Sequence, residues 1–521
     1  MDYIYEYESL PTGARQYDEI DLSRNKIVKA KYVDTYAYRG NPYIEALPFC
    51  KTPEEIAEAF NTMPEIPTTE EFHRLPTQAQ YMLVERLRDY RIALPYHVNL
   101  ESEFSRTLRE SYASRTEYAQ NEEVTVEGES YKVVRGLRAF HAGEAVIGFS
   151  LLGVAGCGKS TAMNMVLDGF PQVIIHEFGG ETRIQIVYLF VTCEANSNFN
   201  ALYQAIGRAI DGALQNGTMT YEEEILSIRS LGQKSLKVRE WIQKLSIGAI
   251  VFDEIQNIDL RSTKENSIEA LLTINNETHV GMGVLGTEEA FRDLFARDRT
   301  ARRFSAYIPA SQYCDNKKTL QRIVKGIFVS QLFEPPVFPD DEIIDAFIEM
   351  SNGVIAYIVL LYYYVSKDYL QKQDKPQICG SYVRNVAERR SKIIFDSINR
   401  HRESKQTNEV QRRKLIREMN TFGDSSEQRE DNSLFEEKST VRETSIERIA
   451  QAHPEYNSSS IERAVTEAEA NGMKKEEEIV LEAVKILARK KGKSSTSGRG
   501  KAKSVESMLK DLEESECHGE P

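Results

Sequence analysis

The chain has 521 residues, room for two to four domains, with 41% hydrophobic and 28% charged residues, an ordinary soluble composition. No apolar stretch reaches the length of a membrane span, and the acidic, aromatic start MDYIYEYESL is unlike a signal peptide, so a cytoplasmic protein without a membrane partner is expected. Six cysteines without a C-x-x-C pair speak against a disulfide framework or a zinc site, and a formal net charge of −14 leaves any nucleic-acid contact to a local basic surface.

Residues 1–130 hold the segment DTYAYRGNPYIEALP (Asp34–Pro48) and short polar helical stretches such as Thr77–Ala93. They are expected to form an N-terminal partner-binding region packed on a core. Residues 131–312 alternate strand and helix, which predicts a parallel sheet with both faces covered. Its strand candidates are Val146–Leu152, Ile184–Thr192, Ile247–Phe252, Val280–Leu285 and Ser305–Ile308.

The first of these strands breaks into GVAGCGKST, which fits G-x-x-x-x-G-K-[ST]. A buried strand that turns through glycines into a helix directs backbone N–H groups and the helix N-terminus at phosphate oxygens. Gly153, Ala155, Gly156, Cys157, Gly158, Lys159, Ser160 and Thr161 are therefore the expected ATP cradle. Lys159 would reach the β/γ-phosphates and Ser160 would ligate Mg²⁺. The third strand candidate ends in Asp253-Glu254. An acid at the carboxyl end of a neighbouring parallel strand suits the metal, and the next carboxylate suits activation of water. Asp253 is thus a metal candidate and Glu254 the catalytic one.

Thr287, after the strand GMGVLG, is expected as a sensor of the γ-phosphate or lytic water, or as a helix N-cap, or both. The segment FRDLFARDRTARRFSAYI carries candidates for an arginine supplied in trans to a neighbouring subunit. Arg302 and Arg303 are best placed, ahead of Arg297 and Arg299; a solvated basic helix end is the alternative. From 313 to 400 the pattern is helical, as a small lid would be, and the helix start SNGVIAYIVLL lacks the arginine common there. That absence predicts looser coupling and slow hydrolysis. Beyond 401 the chain is highly charged and is expected to be a partly disordered tail with short partner-binding helices, such as Glu476–Lys490. The fold class is therefore α/β: an AAA+ P-loop NTPase with a parallel sheet flanked by helices, a small helical lid and that tail.

In order along residues 30 to 365, AYRGNPYIEALP, LLGVAGCGKST, FPQVIIHEF, VFDEIQNI, VLGTEEA, TARRF and SNGVIAYIVLL give the chain a resemblance to a known family. It resembles the TnsC family of AAA+ regulators of Tn-seven-like transposons and, more loosely, the TniB-type ATPases. NPYIEALP and DEIQNI are the discriminating pieces. The resemblance implies an ATP-dependent, sequence-nonspecific DNA-binding protein that forms a ring or helical filament of its own copies on duplex DNA. It also implies docking of a target selector of the TnsD/TniQ type, recruitment of transposase subunits of the TnsA/TnsB type, and resetting by hydrolysis. Arg229, Lys234, Lys237 and Arg239 are candidates for tracking DNA phosphates, with a mixed-charge exposed helix as the alternative; the basic run from Arg489 to Lys503 is a second candidate. An initiator- or helicase-loader-like ATPase, and a nucleotide-stabilised scaffold with incidental hydrolysis, are the competing readings.

Overall fold

Ten strands are named in chain order among the described residues: β1 (Ile27–Lys29), β2 (Arg115–Val126), β3 (Glu129–Ala139), β4 (Phe149–Leu152), β5 (Val173–Phe178), β6 (Glu181–Ile186), β7 (Tyr188–Thr192), β8 (Ala249–Asp253), β9 (Gly281–Gly286) and β10 (Ala306–Pro309). The structure is a computed structural model and describes residues 5–10, 14–140, 146–194, 198–258, 268–287, 290, 303–304, 306–390, 441–442, 444–453, 456–473 and 475–494. The chain divides into two compact units, one of Met1–Lys51 with Asn99–Ala310, the other of Thr52–Val98 with Ser311–Pro521. This differs from the four consecutive stretches expected above. The first 130 residues are shared between the units: Thr52–Val98 groups with the later helices, where Tyr90 Oη donates to Ile323 O at 3.4 Å.

In the first unit, β10, β4, β9, β8 and β7 form a five-stranded parallel sheet in that order. Each of β4, β8 and β9 is buried along its whole length, as a sheet covered on both faces requires. Glycine makes one close approach possible: a Cβ on Gly283 would lie 2.3 Å from the Phe149 ring on the neighbouring strand. Helices Phe199–Leu214, Leu231–Lys244 and Ile268–Thr278 supply Ile206, Ile210, Trp241, Leu271 and Ile274 to the surrounding core.

A second five-stranded sheet, β1-β5-β6-β3-β2, has mixed direction. Two tight hairpins build it: Gly179-Gly180 joins β5 to β6, and Glu127-Gly128 joins β2 to β3. All four of these turn residues have positive φ, as two-residue hairpins of the primed type need. The single strand expected over Ile184–Thr192 is in fact two. It breaks at Val187, so that β6 pairs antiparallel with β5 while β7 pairs parallel with β8. The segment NPYIEALP folds as a short helix, Pro42–Glu45, against this sheet. Gln185 Nε2 donates to Tyr43 O at 2.9 Å, and the buried Glu45 carboxylate accepts from Tyr7 Oη at 2.7 Å.

The second unit is helical throughout its described elements. Helices Lys317–Phe328, Asp341–Ser351 and Ile355–Gln371 enclose Phe328, Phe347 and Tyr362. Within the expected tail the described residues form helices, one of them covering the expected Glu476–Lys490. Helices Ser458–Ala470 and Glu476–Ser494 share a buried cluster of Ile461, Val465, Val484 and Leu487 with Ile446 and Ile449. Their apolar residues recur at helical spacing, which a composition average conceals. Among the described residues no single helix is long and apolar enough to cross a membrane.

Candidate nucleotide site

The parallel sheet gathers the motif residues at its carboxyl edge. β9 lies between β4, which leads into the glycine loop, and β8, which ends in Asp253. Gly156 and Gly158 take φ of 83° and 93°, a left-handed conformation that costs a side-chain-bearing residue but not glycine. Ala155 and Gly156 are exposed at the crown of the loop, as is Thr161 in the first turn of the helix, while Gly153 and Cys157 are buried. The helix Lys159–Leu167 begins at Gly158 with no side-chain cap, so its first N–H groups retain their affinity for an anion. Lys159 is buried, and its Nζ donates to Gly153 O at 3.0 Å and Val154 O at 3.1 Å.

Asp253 is 4% exposed, and its Oδ1 accepts from the Glu254 amide at 2.9 Å. Burial pushes its carboxyl above the ordinary value, against the hydrogen bond from the Ser160 hydroxyl, which favours the carboxylate. A hydroxyl and a carboxylate brought together in this way are the hard oxygen donors that magnesium selects. Glu254 has φ 55° and ψ 41°, a strained conformation for a residue with a Cβ. Its carboxylate accepts from Gln256 Nε2, and Gln256 Oε1 in turn accepts from the Thr287 amide at 3.0 Å. The Thr287 hydroxyl is buried and has no hydrogen-bond partner among the described residues. Such a group demands an explanation, and a ligand oxygen is one. Beside them, burial with the Asp253 and Glu254 charges pushes the Cys193 thiol up to about 12, so it stays protonated.

Arg303 lies elsewhere. Its carbonyl accepts from Gly148 N at 2.6 Å, at the amino edge of the sheet. The four residues of β4 separate it from its own glycine loop by ~13 Å, more than its side chain spans. Arg302, Arg297 and Arg299 lie outside the described residues.

The four DNA-binding candidates are not assembled into one basic face. Lys234 is buried and its Nζ donates to Asn200 Oδ1 at 2.6 Å. Lys237 pairs with Glu224 at 2.6 Å and Glu240 at 3.3 Å, and Arg239 pairs with Glu277. Charges already neutralised within the fold are poor phosphate ligands. Arg229 alone of the four is exposed. Two residues with a place in the site, Gln256 and Gly286, had no role assigned from sequence. Gln256 stands within DEIQNI, two positions beyond Glu254, but its partner Thr287, just past β9, is a tertiary neighbour that local spacing does not reveal.

The sheet order, the glycine loop and the paired acids define the class: an AAA+ P-loop ATPase. In agreement, the family model described as "AAA domain" matches residues 149–295. No curated protein matches the chain. Among solved structures, it is similar to an Orc1 protein from Aeropyrum pernix in complex with DNA, at TM-score 0.31 and 13% identity over 72% of this chain and 78% of that one. It is similar to Cdc6p from Pyrobaculum aerophilum at TM-score 0.30 and 13% identity, over 70% and 79% respectively. An Hsp104-ADP complex from S. cerevisiae follows at TM-score 0.25 and 12% identity, over 81% and 48%. Likenesses this distant carry no argument about partners or substrate.

Proposed function

We propose that this ATPase is a switch that assembles on duplex DNA with ATP bound, links a target selector to a transposase, and is released by hydrolysis. The observation that carries the switch is the joining of Lys159, the Ser160–Asp253 pair and the Glu254–Gln256–Thr287 chain at one sheet edge. Lys159 and the loop amides grip the phosphates. A magnesium ion held by Ser160 and Asp253 would neutralise phosphate charge when bound. Glu254 accepts the proton of the attacking water, and Thr287 offers its hydroxyl to the γ-phosphate or that water. Arg302 or Arg303 acts on the nucleotide of a neighbouring copy, which makes turnover depend on assembly. The transposition role rests on the resemblance of seven sequence segments, in order, to the TnsC family. With Lys234, Lys237 and Arg239 engaged elsewhere, Arg229 and the basic run from Arg489 are the remaining candidates for the DNA contact.

The test is retention on duplex DNA, followed by anisotropy as ATP is consumed. The parent is expected to bind with ATP and leave as hydrolysis proceeds. Glu254→Gln is expected to lose about 10²- to 10⁴-fold in turnover and to stay on the DNA. Equal release of variant and parent would favour the scaffold reading. Capture of a replicative helicase, in place of a transposase, would favour the loader.

A further inference from the structure

We infer that Gln256 is a positioning residue for hydrolysis: its side-chain amide ties the Glu254 carboxylate to the end of β9, so that acid and sensor strand hold one geometry. The inference rests on Glu254 acting as the base, and goes beyond it by assigning what holds that base.

The amide has only one workable orientation. The Thr287 backbone N–H is a donor and needs the Gln256 carbonyl, which accepts it at 3.0 Å. That leaves the Gln256 NH₂ facing Glu254, where it donates to Oε2. A carboxylate held this way cannot turn freely about its terminal torsion. The surroundings make room for the bridge. A Cβ on Gly286 would lie 2.8 Å from Gln256 Oε1 and 2.7 Å from Ile255 Cγ2, so a side chain at 286 would displace the amide. The turn Ile255–Asn257 that carries Gln256 is pinned from the other side, where Asn257 Nδ2 donates to Cys193 O at 2.9 Å. Gln256 thus spans β8 and β9 one step behind the residues that face the nucleotide. Glu254 in its left-handed conformation has no regular ladder to fix it, and the bridge supplies the constraint.

Two variants of the full chain separate the halves of the bridge. Gln256→Glu keeps an oxygen for the Thr287 amide but loses the donor to Glu254; Gln256→Leu loses both. Turnover, affinity for ATP with magnesium, and hydrogen exchange at the Thr287 amide are measured for each. Both variants are expected to lose about 100-fold in kcat, the cost of a reacting group misplaced by about 1 Å, with KM within about twofold of the parent. Exchange at Thr287 should quicken at least about tenfold in Gln256→Leu, the loss of one hydrogen bond, and remain near parental in Gln256→Glu. A purely structural glutamine would instead lower the melting temperature and leave kcat unchanged. Combined with Glu254→Gln, Gln256→Leu should cause no further loss of turnover, because both act through one group. Parental kcat in both Gln256 variants, with turnover lost in Glu254→Gln, overturns the inference alone. Parental turnover in Glu254→Gln overturns the reading of the base and the inference with it.

Discussion

The parallel and the mixed sheet of the first unit both bury polar side chains, but they satisfy them differently. In the mixed sheet, His176 is fully buried between Tyr32 Oη at 2.8 Å and Gln185 Oε1 at 2.7 Å, and Gln185 passes its remaining donor to Tyr43 O. Every partner is supplied by the chain itself. At the carboxyl edge of the parallel sheet the Thr287 hydroxyl is unpaired among the described residues, and Lys159 satisfies itself on loop carbonyls. A closed network locks a fold, whereas donors gathered around an open edge are available to a ligand. Burial of polar groups therefore marks a site only where the local pairing is incomplete.

Substitutions in the two sheets should separate along that line. The largest effect on nucleotide binding is expected for Lys159→Ala, with ATP affinity down about 100-fold from the loss of charge-assisted hydrogen bonds, measured by titration with a fluorescent nucleotide. Its unfolding midpoint should stay close to that of the parent. His176→Leu should do the reverse. It strands the Tyr32 hydroxyl and the Gln185 carbonyl, at about 2–4 kcal/mol of stability, and leaves turnover per folded molecule unchanged. Its pH dependence sharpens the contrast. Burial first, then the Arg183 charge, lowers the His176 pKa to about 4. Below about 6.5 the unfolded chain takes up a proton that the folded one refuses, so stability falls as pH drops from about 6.5 towards 4. Denaturant titrations across that window should show a shallower fall in His176→Leu. The remainder belongs in part to His97 of the second unit, which burial lowers to about 3. The smallest effect is expected for Thr287→Ala: turnover about tenfold slower, or ~1.4 kcal/mol in the barrier, with stability unchanged. A loss of about 1 kcal/mol in stability with parental turnover would instead assign Thr287 to helix capping.

The same contrast explains what was legible in the sequence. β4, β8 and β9 are nearly unbroken apolar runs ending in motif residues, so strand, loop and acid could be placed from local spacing alone. β2 reads RTEYAQNEEVTV, mostly polar at one edge of a sheet, and carries no comparable apolar signal. Its turn, Glu127-Gly128, and the Gly179-Gly180 turn between β5 and β6 carry glycine, but local spacing does not say what they join. The link from Gln256 to Thr287 exists only because β8 and β9 are neighbours. Likewise, the charge pattern of Leu231–Lys244 could not tell that Lys234 faces Asn200 rather than solvent.

Glu254 occupies a backbone conformation that glycine would adopt with less strain. A chain selected only to fold well would gain from giving that position up. The carboxylate there costs stability, which its proposed part in water activation would offset.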